Sequence, residues 1–299
     1  MSAKVYRGCK WIIEKLKRNK RLTMDEFIDL WHQDENINNG GELNTRTFHR
    51  LKKTLNDVFG INIVNAGCGD YAYYIGNPEV LGDQSLGEWM LNTLAISEKL
   101  SQCMAIKDRI LLEDIPSGNE MLEIISDAML DNRKIDFKYL KYGSKDMLDS
   151  TMEPYALVLY HLRWYVLGKL GNGKLYTFGL DRIKTAKICS QSFVMDATFS
   201  AKEYFDDMIG IFDNGERKQQ IIIRAFGDEP FYLRDLPLHH SQREIGSGDG
   251  YTDFMIEVKP NNELIGTLLF KKNRVKVLSP ASLAEQIKNI ATDIKNLYE

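Results

Sequence analysis

Between Thr45 and Lys53 the chain carries Thr45, Arg46, Thr47, His49, Arg50, Lys52 and Lys53, four cations interleaved with three hydroxyl or imidazole groups. Such a mixture suits phosphate oxygens and base edges, so this segment is a candidate for contacting double-stranded DNA. A second segment, Gly168-Lys169-Leu170-Gly171-Asn172-Gly173-Lys174, satisfies the first seven positions of a phosphate loop. The next residue is Leu175, which lacks the magnesium-holding hydroxyl, and a strand-like pattern follows instead of a helix; Gly171-Asn172-Gly173 therefore reads as a hairpin turn. His239 and His240, with Asp235 nearby, have side chains suited to acid–base or metal chemistry. Neighbours on an extended segment point to opposite faces, so the pair reads as structure or interface. Cys9, Cys68, Cys103 and Cys189 are scattered, with no Cys-x-x-Cys pair and no histidine at zinc spacing. They read as reduced thiols, mostly core-filling, and no metal, cofactor or catalytic residue is expected.

The basic segment needs a scaffold. Val5, Cys9, Ile12 and Leu16 recur at helical spacing, predicting a first helix over about Ala3 to Asn19 with Lys and Arg outside. Thr23-Met24-Asp25-Glu26 fits a capping box and opens a second helix with Phe27, Ile28, Leu30 and Trp31 on its apolar face. A polar loop from Asp34 to Leu43 follows. The third helix starts near Asn44 or Thr45, buries Phe48, Leu51, Leu55 and Val58 or Phe59, and stops at Gly60. Its outward N-terminal half holds the basic cluster, as in a recognition helix that enters the major groove. Ile61 to Ala66 and Tyr71 to Gly76, joined by Gly67-Cys68-Gly69-Asp70, then predict a hairpin, and three helices plus a hairpin is the winged helix order.

Composition agrees with a DNA-reading head on an acidic body. The 299 residues are 43% apolar with a net charge of −3, which is too long for one ordinary core and too apolar for disorder. From Met1 to Gly76 there are 12 Lys and Arg against 9 Asp and Glu; the remainder has 27 against 33. No run approaches the roughly 18 apolar residues of a membrane span, and the N-terminus lacks a signal-peptide core, so a cytoplasmic protein without a membrane partner is expected.

Leu86 to Ser101, with Leu86, Trp89, Met90, Leu94 and Ile96, predicts an apolar connecting helix that could pair with its copy in a dimer. A helix from Ser117-Gly118-Asn119-Glu120 to about Asn132 buries Met121, Leu122, Ile125, Met129 and Leu130. The period then changes to strands: Ile135 to Tyr139, Pro154 to Tyr160, Arg163 to Gly168, Lys174 to Phe178 and Ile183 to Ile188, a small bent sheet or barrel. His161 reads as a turn residue.

Glu153-Pro154-Tyr155, Arg163-Trp164-Tyr165-Val166-Leu167-Gly168 and Thr177-Phe178-Gly179-Leu180-Asp181-Arg182-Ile183 resemble the signature of the WYL domain, a family named for a Trp-Tyr-Leu triplet, with Val166 in place of the leucine. The resemblance implies an Sm-like barrel preceded by a helix that senses a nucleotide, nucleic-acid fragment or other anionic ligand and adjusts DNA binding by the head. Alternation puts Arg163, Tyr165 and Leu167 on one sheet face and Trp164 and Val166 on the other. Arg163 and Arg182 with Tyr155 and Tyr165 then suit phosphate clamping and base stacking. The competing reading pairs the arginines with Asp181 or Glu153 and leaves the tyrosines structural.

After a short helix over Ala201 to Met208, the pattern is strand (Gln219 to Ala225), helix (Pro230 to Leu236), strand (Ser241 to Ile245), strand (Tyr251 to Val258), helix (Asn262 to Leu269), strand (Val275 to Leu278) and a last helix from Ser282 to Leu297. This βαββαβ order is ferredoxin-like and resembles the C-terminal extension of WYL proteins. The expectation is therefore an α+β multidomain chain. It comprises a winged helix-turn-helix (1–80), a helical connector (81–116), an Sm-like small β-barrel domain (117–212) and a ferredoxin-like module (213–299). The expected function is ligand-responsive transcriptional regulation by a homodimer. The alternative is a single-stranded nucleic-acid-binding module without operator-specific regulation.

Overall fold

The computed structural model describes residues 3–34, 37, 41–67, 69–82, 85–101, 109–111, 118–143 and 146–299. Cys68, Cys103 and Ser117, and parts of the 34–43 loop and the 81–116 connector, lie outside the described residues. Two compact units result, Met1–Leu112 and Glu113–Glu299, both mixing helices with antiparallel sheet.

The first unit begins with α1 (Ala3–Asn19), α2 (Met24–Gln33) and α3 (Thr45–Phe59). Thr23 caps α2 through a reciprocal box with Glu26, satisfying two N–H groups that the first helical turn otherwise leaves without partners. Asn44 caps α3, and the left-handed Gly60 ends it, with its N–H donating to the Asn56 carbonyl. The hairpin strands β1 (Ile63–Asn65) and β2 (Tyr73–Ile75) are shorter than the sequence predicts, and Leu22 adds a bridge to Tyr73. Phe27 and Phe48 are fully buried, with ring centroids 5.0 Å apart, and join α2 to α3. α1 buries Trp11 and Ile13 as well as the expected stripe, because α4 (Leu86–Ser101) also packs against it. Within α4 Gly87 and Leu91 are buried, Met90 and Leu94 are half-buried, and Leu86, Trp89 and Ile96 are exposed. Gly87 lies against the Phe59 carbonyl, a close approach that fixes which face turns inward.

The second unit opens with α5 (Asn119–Leu130), which buries Ile125 and Ala128 and leaves Leu130 exposed, contrary to the predicted stripe. The strands β3 (Arg133–Leu140), β4 (Met147–Tyr160), β5 (Arg163–Leu170), β6 (Leu175–Gly179) and β7 (Ile183–Ser192) form one antiparallel sheet in the order β6-β5-β4-β3-β7. β4 starts seven residues before the predicted Pro154: the stretch Met147 to Met152 pairs with β3 although its polar side chains hide the pattern. The phosphate-loop look-alike forms the turn between β5 and β6, closed by the Gly173 N–H on the Leu170 carbonyl. Phe137, Met152, Val166, Phe178 and Ile183 make the core beneath α5.

After α6 (Ala201–Asp206) come β8 (Gln219–Phe226), α7 (Glu229–Asp235), β9 (Arg243–Gly248), β10 (Tyr251–Val258), α8 (Asn262–Phe270), β11 (Val275–Ser279) and α9 (Ala281–Asn296). The sheet order is β11-β8-β10-β9, antiparallel throughout. Ile221, Ile223, Phe254, Ile256 and Leu264 form its core. His239 and His240 lie in a bend before β9, with ring centroids 4.0 Å apart, so the extended geometry assumed from sequence does not apply. His239 bridges instead: Nε2 donates to the Asp206 carbonyl at 2.7 Å and Nδ1 faces the Ser241 hydroxyl at 2.8 Å. Among the described residues no helix is long and apolar enough to cross a membrane.

Candidate DNA-contact helix and ligand cavity

On α3, burial of Phe48, Leu51, Leu55 and Phe59 turns the opposite face outward. Thr45, Arg46, His49, Arg50 and Lys53 are exposed there, and Thr47 and Lys52 are half-buried. Arg46, Arg50 and Lys53, spaced by four and three residues, form one row, and none makes an ion pair among the described residues. Lys52 leans toward the hairpin, with its ammonium 5.6 Å from the centre of the Tyr73 ring. Below this surface the Cys9 thiol bonds the Leu51 carbonyl, and burial pushes its pKa up to about 12, so it stays protonated.

The five-stranded sheet encloses one side of a cavity of about 450 Å³, whose lining includes Tyr139, Tyr142, Arg163, Tyr165, Arg182 and Phe212. The two arginines differ in what they already hold. Arg163 is ion-paired with Asp181 and bonded to the Tyr142 hydroxyl, and these contacts raise its pKa further. Arg182 instead stacks between aromatic faces, 5.0 Å from the Tyr139 centroid and 4.3 Å from that of Tyr142, and its buried Nε, like that of Arg163, has no hydrogen-bond partner among the described residues. A buried donor without a partner is costly, so this Nε favours an incoming acceptor. Burial pushes the phenols of Tyr139 and Tyr165 up, keeping both neutral donors.

Arg163, Tyr165 and Arg182 therefore share one cavity, and Tyr155 lies outside its lining. β4 shifts register between Pro154 and Ala156, which breaks simple alternation at this tyrosine. Tyr155 is buried and stacks on Phe193 at 5.9 Å and edge-on with Phe199 at 5.0 Å. Glu153 pairs with Lys134 and takes no part with the arginines. Tyr142, 73% exposed over Arg182, went unread because nothing in Lys141-Tyr142-Gly143 distinguishes it from a turn aromatic. Phe212 and Asp213, which also line the cavity, come from a segment distant in sequence.

Among the described residues no group of three or more His, Cys, Asp or Glu side chains could hold a metal ion. Residues 120–188 match the family model described as the WYL domain. Solved structures similar to this chain include proteasome accessory factor B/C of Arthrobacter aurescens, at 21% identity over 81% of this chain and 39% of that one, with a TM-score of 0.31. This chain thus spans less than half of that factor's length. Another is a CRISPR Cas-related protein, at 12% identity over 86% of this chain and 74% of that one, with a TM-score of 0.40. A search of curated proteins found no match.

Proposed function

We propose that this chain, which carries a WYL domain, is a DNA-binding transcriptional regulator whose barrel cavity takes an anionic, nucleotide-like effector. The first unit is read as a winged helix-turn-helix over 1–80 followed by a helical connector (81–116). The next domain is read as an Sm-like barrel (117–212), and the βαββαβ module (213–299), with its β11-β8-β10-β9 order, as ferredoxin-like. The protein acts in the cytoplasm as a homodimer and carries no catalytic residue or cofactor. In support, Lys174 sits by a hairpin turn, and both ring nitrogens of His239 are engaged in structural bonds.

The observation that carries this reading is the exposed row of Arg46, Arg50 and Lys53 on a capped helix whose other face is locked into a core. Cations that make no ion pair among the described residues give up none of those when they meet phosphate, and helix N-terminal halves reach base edges. Thr45, Thr47, His49 and Lys52 complete the DNA-facing set. In the cavity, Arg182 receives the anion first, Arg163 joins it from its Asp181 pair, and Tyr165 lines the pocket beside them.

The double substitution Arg46→Ala/Arg50→Ala is expected to weaken promoter DNA binding at matched salt. If the two contact phosphates, the slope of log affinity against log salt falls by about 1 for each. Unchanged affinity and slope would sink the head as the reader. For the cavity, titration with a 5′-phosphorylated dinucleotide is expected to show binding that Arg182→Ala abolishes.

A further inference from the structure

We propose that Glu263 is the positioning residue of the barrel cavity: from α8 it holds the 209–213 segment in place as the cavity's outer wall. The inference rests on the ligand reading above for its purpose, though not for its geometry. Residues 207–213 follow α6 without forming a helix or strand of their own, and they carry Phe212 and Asp213 into the cavity lining. Backbone in such a segment needs outside partners for its polar groups. One oxygen of Glu263, Oε2, accepts from both the Ile211 N–H at 2.8 Å and the Phe212 N–H at 2.9 Å. These are charge-assisted bonds, stronger than bonds between neutral groups. Asn261, 1% exposed and capping α8, donates to the carbonyls of Ile209 at 2.9 Å and Phe212 at 3.1 Å.

The near side of the segment is tied to the barrel. The Thr177 hydroxyl of β6 donates to the Ile211 carbonyl at 2.9 Å, and the Phe212 ring meets that of Tyr165 edge-on at 6.1 Å. Asp213 pairs with Lys259 at 2.8 Å. Burial pushes the Asp213 carboxyl up, but the bonds from Lys259 and the Gly215 N–H outweigh this and hold it below its ordinary value. Gly210 makes the arrangement possible: its φ is +85°, and a Cβ there would overlap the Glu263 carboxyl group. A glycine, a carboxylate and a cap asparagine thus make one clamp, and the C-terminal module supplies a wall of the pocket where Arg163 and Arg182 lie.

The test uses the full chain as wild type and as Glu263→Ala, Glu263→Gln and Gly210→Ala. Readouts are amide exchange at Ile211 and Phe212, fluorine NMR of 3-fluorotyrosine-labelled protein with Tyr165 assigned from Tyr165→Phe, and affinity for the 5′-phosphorylated dinucleotide. All are taken well below the melting transition, so that a loss of stability alone does not move them. Glu263→Ala and Gly210→Ala are expected to speed the two exchanges by about tenfold or more, shift the Tyr165 signal and weaken the probe by about tenfold. Glu263→Gln retains an acceptor oxygen and is expected to restore all three. Unchanged exchange and fluorine signal in Glu263→Ala would overturn the proposal, as would a loosened wall with undiminished probe affinity. If wild type itself does not bind the probe, the ligand reading fails separately. The positioning role then stands or falls on the Tyr165 signal.

Discussion

Arg182 and Arg163 show how two like residues acquire different work. Arg163 spends its charge on Asp181, whereas Arg182 is held between ring faces and makes no ion pair among the described residues. Arg182→Lys is therefore expected to weaken the dinucleotide strongly, because an ammonium neither stacks between two rings nor offers a planar fork. Equal binding by Arg182→Lys in a calorimetric titration would contradict this. His239 gives a pH dependence of known sign. Burial lowers its pKa below the ordinary 6.5, with the Asp206 carbonyl bond opposing and His240 assisting the shift. A depressed folded-state pKa means that the unfolded chain binds the proton more tightly. The stability from neutral His239 is full above about pH 6.5 and is lost as pH falls through the lowered folded value. Melting of wild type is expected to show this loss on acidification from pH 7.5 to 5.5, and His239→Gln to show less of it.

Among the elements, α3 is the one whose ends were written most legibly. Asn44 at its start and Gly60 at its end are the residues that helix termini require, and Thr23 with Glu26 did the same for α2. Asn44→Ala is expected to cost about 1 kcal/mol of unfolding free energy in the first unit. Gly60→Ala meets no neighbouring atom, so its cost of about 1–2 kcal/mol comes from the left-handed backbone alone. Chemical denaturation of the two variants checks both values. Less legible were α4, whose apolar residues occur nearly all round, and the first half of β4, whose polar side chains pair in a sheet through backbone bonds that no side-chain pattern reports. Tyr155, beside the register shift between Pro154 and Ala156, packs against Phe193 and Phe199, partners that lie 38 and 44 residues on and that no local pattern reports.

For the whole molecule, the homodimer is the consequence to test. A sedimentation mass at micromolar concentration is expected at twice the 34.4 kDa of the chain, and a monomer mass would count against paired half-site recognition. What the sequence by itself determined is whatever depends on neighbours along the chain: helix and strand periods, caps, turns, and the outward basic residues from Thr45 to Lys53. It also carried the Trp164-Tyr165 segment with enough specificity for the WYL domain that residues 120–188 match to be read. Only the tertiary structure decided which of those residues meet. It brought Arg182 between Tyr139 and Tyr142, removed Tyr155 from the cavity, and drew Phe212 in under the grip of Glu263, 51 residues away in sequence. The reason is physical: such contacts are set by sheet register, bulges and packing between distant segments, and their energies appear only after the chain has closed on itself.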